Sequence, residues 1–171
     1  KPQVLLHGDL HCGNVLISHA EYKVIGAEFG CYGPAGFDTG TWIASLILNL
    51  IVQSASKKTQ AQPYFSGQIN VFWQEFSAEF ATLMQKETRD QSFQNAMYQQ
   101  HFLRQLWQDT LGYAGCELIR RTVGWAQPEE LNKFTDQRVK HEVQRQLLAL
   151  GRDLIMQRRQ LTPEQLLAKL V

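Results

Sequence analysis

Between Leu5 and Asn14 the chain reads Leu-Leu-His-Gly-Asp-Leu-His-Cys-Gly-Asn, and a carboxylate at Asp9 with a carboxamide at Asn14, five residues on, suits phosphoryl transfer to a hydroxyl. In that chemistry the aspartate receives the proton of the attacking hydroxyl, while an asparagine oxygen helps hold the magnesium that neutralises charge on the moving phosphoryl group. Both tasks need oxygens fixed on a rigid turn. The competing reading is an Asx turn whose side chains cap only their own backbone. His7, Leu10 and the apolar runs on either side favour the catalytic loop. His7 and His11 lie four apart, a spacing that serves one metal ion only on a helix. A structural role is therefore expected for His7, bonded to nearby backbone, and none is assigned to His11.

Such a loop needs flanking elements to hold it. Val4-Leu5-Leu6-His7 reads as a short buried strand leading in, and Val15–Ile17 with Tyr22–Ile25 reads as a hairpin leading out. Gly26, Gly30, Gly33, Pro34, Gly36 and Gly40 then mark a turn-rich segment lying against the loop, with little strand after the hairpin. From Trp42 to Val52 apolar residues cover every face, as in a helix at the centre of a domain. Residues 53–66, polar and containing Pro63, predict an exposed loop. Three amphipathic helices follow from the apolar spacing of Ile69–Leu83, Leu103–Leu118 and Val139–Leu154. Thr162-Pro163-Glu164-Gln165 predicts a capped closing helix, with Thr at the N-cap, Pro at the first helical position and Gln at the third. The fold class is thus mainly α with a small β hairpin. One domain is expected over 1–171, with loop and hairpin in 1–40 and a helical part in 41–171.

Composition narrows the partners. A formal charge of +1 over 171 residues and the absence of a Lys/Arg-rich run leave no footprint for nucleic acid. The apolar stretch at 42–52 is too short for a bilayer, which needs about 20 residues, so no membrane partner is expected. Three widely spaced cysteines, Cys12, Cys31 and Cys116, argue against a disulfide framework and for a reducing compartment, read as the cytoplasm. All three are expected to pack as small apolar residues. No charged-then-apolar leader follows Lys1, so no signal peptide is read.

The run His7-Gly8-Asp9-Leu10-His11-Cys12-Gly13-Asn14 resembles the catalytic loop of the aminoglycoside-phosphotransferase-like kinases, with Gly8 where protein kinases carry Arg. Phe29–Gly40, Phe72-Trp73-Gln74-Glu75-Phe76 and Gly115–Gly124 narrow the likeness to the methylthioribose kinase family, and to its carboxyl-terminal lobe alone. The resemblance implies the lobe of a protein-kinase-like fold and transfer of the ATP γ-phosphoryl group to the 1-hydroxyl of methylthioribose, a step of methionine salvage. It implies ATP and Mg²⁺ as cofactors and a sugar as substrate. Asp9 would be the base, Arg120 and Arg121 would face the sugar, Asn14 and Glu28 would be metal ligands, and Asp38 would hold the loop from the next helix. A cleft lined by Asp9, Asn14, Glu28, Arg120 and Arg121 is therefore expected. The likeness also implies a homodimer, for which the aromatic residues of 69–83 are one candidate surface.

The chain departs from that family in two ways. The metal motif Asp-x-Glu reads Gly26-Ala27-Glu28, so its first carboxylate is missing, and the amino-terminal lobe that covers the nucleotide is expected to be absent. Both predict impaired or absent turnover and doubtful ATP binding. Two alternatives stay open: a non-catalytic binding or dimerising remnant, and a kinase lobe for another small alcohol such as choline, homoserine or an aminoglycoside. Two bland readings also stand. Arg120 and Arg121 would complement a helix carboxyl end, only one of the two facing a site, and Glu28 would be an exposed charge at a hairpin end.

Overall fold

A computed structural model describes residues 4–58, 60–125 and 127–170. Four short strands come first: β1 (Val4–Leu6), β2 (Val15–Ile17), β3 (Tyr22–Val24) and β4 (Cys31–Gly33). Six helices follow, α1 (Gly36–Ala55), α2 (Ala61–Glu87), α3 (Ala96–Val123), α4 (Glu129–Asn132), α5 (Gln137–Gln157) and α6 (Pro163–Leu170). The expected hairpin is β2–β3, with Val15 opposite Val24. A second antiparallel pair was not expected: β1 joins β4, with Leu6 opposite Cys31. The glycine-punctuated segment therefore contains a strand, and β1 carries only one buried side chain, Leu6, while Leu5 is 71% exposed.

Several stretches of sequence turned out differently from expectation. Pro63 does not sit in a loop but in the first turn of α2, where its missing N–H has no helical partner to lose. The connection between α1 and α2 shrinks accordingly to residues 56–60. Gly36 and Gly40 are not turn formers. They lie on α1 where it meets α3, and a Cβ at Gly40 would stand 2.7 Å from the Thr110 carbonyl oxygen. Cys31 and Cys116 are exposed rather than packed, and all three cysteines are free thiols.

Helix α3 is the hub. Leu111, Ala114 and Leu118 face α1 and α5 with no more than 1% exposure, and Thr39 on α1 hydrogen-bonds Thr110 across the buried crossing at 2.6 Å. Helix α1 is buried on nearly all sides, as its apolar residues predict. The aromatic stripe of α2 turns inward too: Trp73 meets Trp107, and Phe72, Phe76, Phe80 and Phe102 stack in a row. That row packs, partly buried, against the core. Helix α6 has the predicted capping box, with the Thr162 N–H donating to Gln165 and the Gln165 N–H donating to Thr162. Among the described residues no helix is long and apolar enough to cross a membrane.

Candidate functional site

The loop after β1 is held in place from α1. Asp38, in the first turn of that helix where a carboxylate is favoured, accepts the backbone N–H of His7 at 2.6 Å and of Gly8 at 3.1 Å. Seven residues along the same helix, the Ser45 hydroxyl accepts the Cys12 N–H at 3.2 Å and lies 3.0 Å from its thiol. Burial pushes the Cys12 thiol up, the Ser45 hydrogen bond offsetting part of that, so it stays a neutral tether. Gly8, at the first of these anchors, has φ +85°, and a Cβ there would stand 2.2 Å from the Phe29 carbonyl oxygen. Residue 8 can therefore carry no side chain, whatever occupies that position in protein kinases.

Within the loop, side chains fix the Asp9 carboxylate. The Asn14 amide nitrogen donates to the Asp9 carbonyl at 2.8 Å and to Asp9 Oδ2 at 3.1 Å. His11 Nδ1 accepts the Gly13 N–H at 3.0 Å, which leaves the neutral ring's proton on Nε2, 3.4 Å from the same Oδ2. His7 accepts the Asp9 N–H at 3.3 Å and, through its other nitrogen, donates to the Ile25 carbonyl at 2.9 Å. Among the described residues Asp9 Oδ1 has no hydrogen-bond partner.

Asp9 lines a cleft of about 580 Å³ with Arg120, Glu117, Phe29, Phe37 and Tyr113. Phe37 and Tyr113 meet edge to face at 5.4 Å and give it an apolar wall. The other expected residues lie apart from it. Arg121 lines a second cleft, of about 150 Å³, behind the loop with His11, Cys12 and Gly13. Asn14 backs Asp9 without lining either cleft, and Glu28 is exposed on the short turn Ala27–Phe29.

Sequence reasoning overlooked Glu117. Its carboxylate takes Arg120 Nε and Nη2 at 2.7 Å each and Arg121 Nε at 2.8 Å, and its side chain is only 11% exposed. The signal was available, because an acid three and four residues before two arginines shares their helical face. Burial raises the Glu117 carboxyl, but hydrogen bonds and charge from both arginines outweigh it and hold the group below the usual carboxylate range. The Glu117 hydrogen bond in turn raises Arg120, and the charge of Asp9 adds to that. Because the folded value is depressed, this pairing stabilises the fold above the unfolded value near 4.3 and is lost as pH falls through the folded one. Urea unfolding between about pH 5 and 3 should show a fall in stability that is smaller in Glu117→Gln.

The metal motif that the resemblance implies is incomplete in this chain. Gly26, at φ +86°, stands where the resemblance places a carboxylate, and a Cβ there would lie 2.8 Å from the Asn14 amide nitrogen. Asn14 thus fills that space; its N–H groups go to Asp9, and its amide oxygen has no hydrogen-bond partner among the described residues. Among the described residues no group of three His, Cys, Asp or Glu could hold a metal ion. Magnesium needs one or two carboxylates besides substrate phosphates. Glu28 and the Asn14 amide oxygen are the donors left to hold it, and Gly26 supplies no carboxylate.

Comparison with known proteins follows the same lines. The methylthioribose kinase of Yersinia enterocolitica is 39% identical over 160 residues, 91% of this chain and 40% of that protein. Those of Pectobacterium carotovorum and Yersinia pestis are 38% and 37% identical over 160 and 158 residues. The chain is homologous to part of a methylthioribose kinase. It spans about two-fifths of the length of these relatives. Its mainly helical architecture with a small hairpin is that of the helical carboxyl-terminal lobe of a kinase-like fold. No family model matches the chain.

Proposed function

We propose that this chain forms the acceptor half of a methylthioribose kinase site, where the γ-phosphoryl group of ATP passes to the 1-hydroxyl of the sugar. The observation that carries this reading is the shared cleft of Asp9 and Arg120. Asp9 Oδ2 is occupied by Asn14 and His11, so Oδ1 is the oxygen that orients the hydroxyl and takes its proton. Arg120 binds sugar oxygens and answers developing phosphoryl charge through its remaining N–H groups. Phe29, Phe37 and Tyr113 supply an apolar wall on which a methylthio group packs, sulfur against ring. His7 and Asp38 position the loop and do no chemistry.

Turnover by this reading is slow. Loss of one preorganised donor at a developing charge costs roughly a hundredfold to a thousandfold, and Gly26 removes a metal carboxylate rather than a hydrogen bond. The same observation favours a second reading, a domain that binds the sugar and does not phosphorylate it. Calorimetry with methylthioribose, and mass spectrometry of the sugar after incubation with Mg²⁺ and ATP, separate the two. Saturable binding with traces of phosphorylated sugar is expected. Asp9→Asn should reduce turnover by about two to four orders of magnitude with sugar affinity held within a few-fold. Binding without any turnover selects the second reading, and absence of binding rejects both.

A further inference from the structure

The two arginines at the end of α3 share one acid and part ways beyond it. Glu117 lines both the Asp9 cleft, which Arg120 enters, and the smaller cleft behind the loop, which Arg121 enters. A guanidinium carries five N–H donors in a rigid plane. Arg120 spends two of them on Glu117 and keeps three, and Arg121 spends one and keeps four. Since a guanidinium held through Nε and Nη2 has its plane fixed, the donors left to Arg120 have one direction available. At 11% exposure the Glu117 carboxylate is screened far less than a surface pair, whereas Arg120 is 55% exposed and would sample many rotamers if released.

We infer that Glu117 is a positioning residue that assigns one guanidinium to each cleft, leaving Arg120 alone to meet the acceptor. A second consequence follows from charge. Asp9, Glu117, Arg120 and Arg121 sum to zero, so the cleft favours a neutral polyol and gives free anions only weak hold. This inference rests on the acceptor-site reading above, which it deepens by restricting sugar recognition to Arg120.

Glu117→Gln keeps the shape of the side chain and removes its charge, which makes the test specific. Methylthioribose affinity, measured by calorimetry on the whole chain, should fall about tenfold. Inorganic phosphate should bind a few-fold more tightly, because the same four groups then carry one net positive charge. A simple loss of folded structure would weaken both ligands, so opposite directions mark positioning. The arginine Nε–H resonances of Arg120 and Arg121, assigned through Arg120→Lys and Arg121→Lys, should both lose their protection from exchange in Glu117→Gln. Sugar affinity within twofold of the parent, or release of only one arginine, overturns the inference. If the parent protein itself fails to bind the sugar, the acceptor-site reading falls. The arginine resonances then decide alone whether Glu117 anchors the pair: release of both supports the anchor, and retention of either overturns it.

Discussion

Replacing Gly8 by alanine is expected to destabilise the chain by about 3 kcal/mol and to abolish sugar binding with it. Two costs add at this position. The backbone stands at φ +85°, where an L-residue with a Cβ is strained by about 1–2 kcal/mol. The added carbon would also fall 2.2 Å from the Phe29 carbonyl oxygen. Backbone cannot rotate aside as a side chain can, so the loop and the turn Ala27–Phe29 must separate, for roughly 1–3 kcal/mol more. Separation moves Asp9, the next residue. Urea unfolding reads the first effect and calorimetry the second; a variant that unfolds within 1 kcal/mol of the parent would show that the loop does not pass so close to Phe29.

Asp38→Asn is expected to cost about 2 kcal/mol while leaving the helices intact. Its carboxylate accepts two backbone N–H groups, from His7 and Gly8. An amide in its place offers a single acceptor oxygen and turns an N–H₂ toward a donor. One loop N–H is then left unpaired in a part-buried position, for about 1–3 kcal/mol, and the favourable charge in the first turn of α1 is lost, for a further few tenths. Circular dichroism should remain helical, while the amide signals of residues 7–9 broaden or exchange faster. Unchanged exchange at His7 and Gly8 would remove Asp38 from the support of the loop.

Much of the architecture was legible because its causes are local. Helices α2, α3 and α5 follow from apolar residues at helical spacing, the hairpin from two short apolar runs around a polar turn, and α6 from a capping box written in four residues. The β1–β4 pairing was not legible, since its partners lie nearly thirty residues apart and β4 hides among turn formers. Pro63 misled for a related reason: proline ends helices and also starts them, and which of the two applies depends on where α1 stops.

The loop was read as a constellation of residue types, and its likeness to methylthioribose kinases is a property of letters alone. Which atoms are free was not readable. That Asn14 turns toward Asp9, that Gly26 has no room for a side chain while Asn14 lies there, and that Glu117 parts two adjacent arginines depend on torsions and on contacts between α1, α3 and the loop. Sequence by itself determined the chemistry on offer, because residue type and short-range spacing set which groups can sit on one turn or one helical face. Only tertiary structure decided how that chemistry is shared out, because an oxygen is free or occupied according to neighbours that come from distant parts of the chain.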